Sequence, residues 1–194
     1  MIALIDYGAG NLKSVANALD DLGAKYFVTN KSEEIKSAEK IIFPGVGEAA
    51  SAMQKLEEKR IIDSIKSTTK PLLGICLGMQ LLSTFSEERN TMCLDIVKSV
   101  VKQFDAANVK VPHMGWNKVK YNSQNVLFNN IKSDEHFYFA NSYYLPITEF
   151  TIATTNYGIN FSSAINKNNF YGVQFHPEKS GKAGLQVLKN FIEL

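Results

Sequence analysis

Apolar and polar positions follow two different rhythms along the 194-residue chain. Ile2-Ala3-Leu4-Ile5 is a short apolar run, the length of a buried strand. After the loop Asp6-Tyr7-Gly8-Ala9-Gly10-Asn11, the residues Leu12, Val15, Ala16, Leu19 and Leu22 recur at helical spacing and stop at Gly23. Tyr26-Phe27-Val28 and Lys40-Ile41-Ile42-Phe43 read as two further strands separated by a polar, partly helical segment. The third strand runs into Pro44-Gly45-Val46-Gly47. Helical spacing then returns at Ala49, Ala52, Met53 and Leu56, and again at Ile61, Ile62 and Ile65. This alternation, up to roughly residue 85, predicts βαβ units around a parallel sheet, with function at the carboxyl ends of the strands.

Beyond Ser86-Glu87-Glu88-Arg89-Asn90 the texture changes. β-branched and aromatic runs alternate with Asn/Ser turns at 96–104, 109–111, 118–121, 137–139, 151–155, 161–165 and 170–175, predicting a largely antiparallel half. Leu185, Leu188, Phe191 and Ile192 share one side of a last helix over 183–192.

Between the two rhythms lies Lys70-Pro71-Leu72-Leu73-Gly74-Ile75-Cys76-Leu77-Gly78-Met79-Gln80. It reads as a strand, a sharp turn and a helix start. Glycine two positions to either side of Cys76 suits a strand-to-helix elbow that lifts the sulfur clear of the backbone. The first turn of a helix then favours an anion at that sulfur. A buried structural cysteine is the plainer reading of the same residues.

Composition and charge narrow the setting. Hydrophobic residues make up 45% of the chain, enough for one substantial core and short of two domains. The formal net charge of +2 comes without a basic block, so neither nucleic acid nor an anionic membrane is implied as partner. Two cysteines, Cys76 and Cys93, make no disulfide framework, and residues 1–6 lack the features of a secretory leader. A reduced, cytoplasmic protein is expected. No apolar run approaches the roughly 20 residues of a membrane span. The loop after the first strand has Gly8 and Gly10 but Lys13 at the third glycine position, which removes the dinucleotide reading and leaves a tight connection or a surface for close approach.

A nucleophilic cysteine needs a base, and the base an orienting group. Of three histidines, His176 is best placed: it ends the run Tyr171-Gly172-Val173-Gln174-Phe175 and precedes Pro177-Glu178. The proline stops the strand and lets Glu178 return toward the imidazole. His113 and His136 have no comparable arrangement, and the acidic neighbours of His136 read as surface electrostatics. Acyl transfer also needs donors for an oxyanion. The N–H of Leu77 is one, and the Pro44-Gly45-Val46-Gly47 loop offers another, because glycines let a peptide plane reorient toward substrate.

Gly74-Ile75-Cys76-Leu77-Gly78-Met79-Gln80 with His176-Pro177-Glu178 resembles the signature of class I, triad-type glutamine amidotransferases. Asp6-Tyr7-Gly8-Ala9-Gly10-Asn11-Leu12, Pro112-His113-Met114-Gly115-Trp116-Asn117 and His176-Pro177-Glu178-Lys179-Ser180 look like the glutaminase subunits of imidazole glycerol phosphate synthases within that family. The resemblance spans essentially the whole chain. It implies one glutaminase domain over residues 1–194, α/β in class, with a flavodoxin-like central sheet, helices on both faces and an additional antiparallel β region in the C-terminal half.

The activity implied is hydrolysis of L-glutamine to glutamate and ammonia, which passes through a channel to a cyclase subunit shaped as a (β/α)8 barrel in histidine biosynthesis. Neither cofactor nor metal is implied. By the same resemblance Cys76 forms a thioester, His176 moves the proton and Glu178 holds His176. Gly45, Val46, Gly47 and Leu77 surround the oxyanion, while Gln80, Glu88, Ser142 and Tyr143 bind glutamine. Asn11, Trp116 and Lys179 face the cyclase. Without the resemblance, Trp116 reads by default as a core residue.

Two stretches depart from the pattern. Ala140-Asn141-Ser142-Tyr143 stands where the family commonly has Val-His-Ser-Tyr, and Thr91–Val97 lacks the usual Gly-Leu-Gly-Leu. These departures suit a second reading, a paralogous glutaminase that feeds ammonia to a sugar-amidating synthase of surface polysaccharides. A non-catalytic binding subunit and a stand-alone cysteine hydrolase are the readings from other classes.

Overall fold

A computed structural model of the protein describes residues 1–8, 11–121 and 125–194. The Ala9-Gly10 part of the glycine-rich loop lies outside the described residues. The first half alternates as its pattern predicts: β1 (Ile2–Ile5), α1 (Leu12–Asp21), β2 (Tyr26–Thr29), α2 (Ser32–Ser37), β3 (Lys40–Gly45), α3 (Ala49–Glu58), α4 (Ile62–Lys66), β4 (Leu72–Cys76) and α5 (Leu77–Leu81). Strands β1 and β4 are buried along their whole length, the mark of parallel strands covered on both faces. Side-chain alternation divides β1 between two cores. Ile2 and Leu4 pack with Val15 and Leu19 of α1, while Ala3 and Ile5 pack with Ala52 and Leu56 of α3.

The second half contains β5 (Ser83–Ser86), β6 (Thr91–Met92), β7 (Val97–Gln103), β8 (His113–Tyr121), β9 (Glu135–Asn141), β10 (Tyr143–Tyr144), β11 (Thr151–Tyr157), β12 (Ile159–Lys167), β13 (Phe170–Val173) and α6 (Gly181–Ile192). The large sheet runs β2-β1-β3-β4-β13-β12-β11-β8-β9. It is parallel from β2 to β13 and antiparallel from β12 onward. The antiparallel strands therefore extend the doubly wound sheet rather than forming a separate layer. Strand β13, among the last in the chain, sits beside β4 with Gly172 opposite Gly74 and Val173 opposite Ile75. That pairing carries the chain from β13 directly to the end of the strand that bears Cys76.

Several expectations change in detail. Residues 109–111 form no strand: the Lys110 carbonyl accepts from the Tyr157 hydroxyl at 2.7 Å, and Val109 and Val111 cover the core edge instead. The last strand stops at Val173 rather than at Phe175, and Gln174 just beyond it turns its side chain to Gln80 and Cys76. Strands β5 and β6 were not visible in the pattern, and with β7 and β10 they make a small sheet in which β5 and β7 run parallel. Among the described residues, no helix is long and apolar enough to cross a membrane.

The elbow is held by backbone contact on both sides. A Cβ on Gly78 would lie 1.9 Å from the Phe43 carbonyl oxygen, and one on Gly74 would lie 2.7 Å from the Gly78 carbonyl oxygen. Gly78→Ala is therefore expected to destabilise the chain by about 3 kcal/mol, the upper end for overpacking, because backbone rather than a flexible side chain must move. Denaturant unfolding of the variant against the parent measures it.

Candidate functional site

Cys76 closes β4 with φ 53° and ψ −109°, a conformation an L-residue adopts only under constraint. Its partner in the neighbouring strand is Gly45. The sulfur lies at a cleft of about 140 Å³ lined by Val46, Gly47, Leu77, Gln80, Glu88, Ser142 and Tyr143, seven residues expected at the oxyanion or the substrate. Gly45 sits behind this lining, with its Cα toward the Tyr7 hydroxyl.

His176 reaches Cys76 from the other strand. Its backbone N–H donates to the Tyr138 carbonyl at 2.8 Å, and the Ser180 hydroxyl donates to the His176 carbonyl at 2.6 Å, so the main chain is fixed from both sides. Pro177 opens a single 3-10 turn, Pro177–Lys179, which curls Glu178 back to place its Oε1 at 2.8 Å from His176 Nδ1. With Nδ1 committed to Glu178, Nε2 is the nitrogen left to serve the Cys76 side chain.

Burial alone would depress the His176 pKa. Hydrogen bonds and charge from Cys76 and Glu178 outweigh it and hold the imidazole up at about 10. The arrangement favours an imidazolium beside the sulfur. His113 shows the contrast: stacked between Phe139 at 4.8 Å and Tyr157 at 3.9 Å, it is pushed by burial down to about 4 and is a neutral core residue. His136 is exposed on β9.

Asn11, expected at a partner face, lies against Glu178 and His176. Its left-handed backbone, φ 74°, precedes α1 and directs the side-chain amide to donate to Glu178 Oε1, 3.4 Å from His176 Nδ1. Gln80 is committed as well: its Nε2 donates to the Tyr143 carbonyl and to Gln174 Oε1, both at 2.9 Å. Its amide nitrogen therefore braces the cleft wall. Glu88 accepts from the Ala49 N–H at 2.7 Å, and burial pushes its carboxyl upward. Gln174 was missed by sequence reasoning, yet its amide donates to Cys76 Sγ at 3.6 Å. Its one signal is a polar residue interrupting an apolar run two positions before His176.

The Pro112–Asn117 motif divides by strand alternation. Pro112 lines the cleft and His113 enters the core, whereas Met114 and Trp116 are 64% and 56% exposed. Trp116 is thus a surface residue and not the core tryptophan of the default reading. Lys179 lies on the same side, its Nζ 5.9 Å from the centre of the Tyr138 ring, which meets Trp116 edge-on at 6.2 Å. Asn141, the departure from the usual histidine, is buried at the cleft and donates to the Tyr143 carbonyl at 2.9 Å.

A family model for glutamine amidotransferase class-I matches residues 3–194. The chain belongs to the class I glutamine amidotransferase family. It is 48% identical over 192 residues to "Imidazole glycerol phosphate synthase subunit HisH" of Haemophilus influenzae, covering 99% of this chain and 96% of the relative. It is 50% identical to the protein of the same name in Bacteroides fragilis, covering 100% and 99%. Among solved structures, a glutamine amidotransferase superimposes with a TM-score of 0.76 over 100% of this chain and 98% of that one, at 17% identity, a likeness of fold. As a glutamine amidotransferase the chain is an enzyme that releases nitrogen from glutamine.

The charge on His176 is testable. The part of its stability contribution that comes from the raised pKa is fully present below 6.5 and is lost as pH rises through about 10. In Cys76→Ala one of the two raising partners is gone, so the His176 titration followed by NMR is expected to move to lower pH. Asn11→Ala, which strips a donor from Glu178, is expected to lower kcat about tenfold with KM nearly unchanged, as steady-state glutamine hydrolysis will register.

Proposed function

We propose that the chain is the glutaminase subunit of an imidazole glycerol phosphate synthase, acting through Cys76, His176 and Glu178. The observation that carries this reading is a cysteine lining the cleft together with a buried carboxylate 2.8 Å from the imidazole of His176. The naming of relatives at 46–50% identity over almost the full chain supports the pathway.

In this reading the Cys76 sulfur attacks the side-chain amide carbon of glutamine, and the oxygen of the tetrahedral adduct is met by the Leu77 N–H and the Val46 peptide. His176 Nε2 protonates the departing ammonia, leaving a glutamyl thioester. The neutral imidazole then takes a proton from water, whose oxygen attacks the thioester to release glutamate. Glu178 keeps the same imidazole nitrogen facing the sulfur through both steps. Glu88 provides the charge that would pair with the substrate ammonium. The exposed Met114 and Trp116, with Lys179 beside them, form the face offered to a barrel-shaped cyclase that receives the ammonia.

With a matching cyclase subunit present, the chain is expected to support glutamine-dependent formation of imidazole glycerol phosphate. Glutamine-dependent amidation of a sugar with no such product would overturn the pathway in favour of the paralogue. A chloroketone analogue of glutamine is expected to label Cys76 stoichiometrically and to leave Cys76→Ala unlabelled. Cys93 serves as internal control, because burial pushes its thiol up to about 11. Mass spectrometry that found the label on Cys93 would sink the triad.

A further inference from the structure

Tyr7 follows β1 and is 1% exposed, with its ring 5.5 Å from Phe43. Its hydroxyl is fully buried and has no hydrogen-bond partner among the described residues. A buried hydroxyl left in that state costs about 1–3 kcal/mol, so its position calls for an explanation beyond packing, which phenylalanine would serve as well. The hydroxyl is held against the segment expected to carry an oxyanion donor: a Cβ on Gly45 would lie 2.5 Å from the Tyr7 oxygen and 3.0 Å from the Gly78 nitrogen. Gly45 in turn pairs with Cys76 across β3 and β4. Val46 and Gly47 line the cleft and Tyr7 does not, so the phenol stands behind the segment whose front faces the sulfur.

We propose that Tyr7 is a positioning residue for the oxyanion segment, its hydroxyl donating to the Gly45 carbonyl when the Gly45–Val46 peptide is oriented with the Val46 N–H toward the cleft. The two ends of one peptide plane point opposite ways, so an N–H aimed at the substrate sends its carbonyl to the rear. A carbonyl buried there needs a donor. Gly47, with φ 99°, supplies the conformational freedom, and Gly45 is glycine because the phenol occupies the space of a side chain. Burial first, and then the charge of Cys76, push the Tyr7 hydroxyl well above its ordinary range, so it remains a protonated donor wherever the triad works. The hydroxyl thus finds its partner only in the arrangement that stabilises the transition state, which places its contribution in kcat rather than in substrate binding.

This inference rests on the glutaminase reading, and Tyr7→Phe in the complex with the cyclase subunit tests it. Removing only the hydroxyl is expected to lower kcat for glutamine hydrolysis about tenfold or more, with KM within about twofold. The melting temperature is expected to be equal or slightly higher, since an unpaired buried group is lost. Alkylation of Cys76 by iodoacetamide, which needs the thiolate but no oxyanion donor, is expected to be unchanged. A kcat within twofold of the parent overturns the proposal. So does a parallel fall in the alkylation rate, because the phenol would then act on the sulfur. A parent complex without glutamine turnover would overturn the functional reading itself, whereas an active parent with an equally active Tyr7→Phe overturns only the role of Tyr7.

Discussion

The backbone of Cys76 is the constraint around which the site is assembled. A non-glycine residue at φ 53° and ψ −109° stores about 1–3 kcal/mol of strain, which persists only where its surroundings leave no alternative. Here those surroundings are backbone groups. The chain leaving Cys76 passes so close to β3 that Gly78 has no room for a methyl beside the Phe43 carbonyl, and Gly74 has none beside Gly78. Ile75 and Leu77, on either side of the cysteine, are anchored in opposite cores, so relaxing the turn would expose apolar surface on both faces of the sheet. The strain is thus balanced by hydrophobic burial distributed over the domain.

Strand order converts that local geometry into a site. The parallel half supplies Cys76 from β4 and the Gly45–Gly47 segment from the end of β3, while His176 arrives from the far end of the chain through β13. Only because β13 docks parallel to β4 do the carboxyl ends of the two strands coincide, and Gly172 makes the fit possible by leaving space for the Met79 side chain, 2.7 Å from where a Cβ would stand. The antiparallel strands then wall the cleft from the opposite side through Asn141, Ser142 and Tyr143. Electrostatics complete the division of labour. A single carboxylate oxygen accepts from both the imidazole and Asn11, which leaves Nε2 as the ring nitrogen free of that carboxylate.

The parts legible in the sequence are those specified by local rules. Short apolar runs mark β1, β3 and β4, which are buried on both faces, and period-3.6 patterns mark α1, α3 and α6, each of which buries one face. The elbow and the His-Pro-Glu turn are equally local, since glycine and proline act on their own dihedrals. What stayed hidden depends on tertiary contact. The short strands β5 and β6 carry Ser and Thr where they bond to neighbours, which reads as loop. Val109 and Val111 have strand-like residues but no free ladder to join. Asn11 reads as a surface residue because its partner, Glu178, is 167 positions away. Gln174 and Tyr7 look like ordinary strand-end residues until the sheet brings one to the sulfur and the other behind Gly45.

The exposed face and the buried triad are joined by unusually little structure. Lys179 is exposed and Glu178, the next residue, has its carboxylate fully buried against His176, and both belong to one 3-10 turn. The exposed side chain and the buried carboxylate therefore leave the backbone from adjacent residues of a single turn. On the other side of Glu178, the donor Asn11 sits at the start of α1, where α1 packs against that same turn. The orienting carboxylate is therefore gripped by two surface-bordering elements rather than by the core. Rigid groups, Cys76 and Leu77, come from the sheet and the elbow. Glu178 and Asn11, which hold the imidazole, come from elements that border the surface. The Glu178 carboxylate is thus set one residue from the exposed face that carries Lys179, whereas the strained backbone of Cys76 is held by close packing of Gly78 on Phe43 within the sheet.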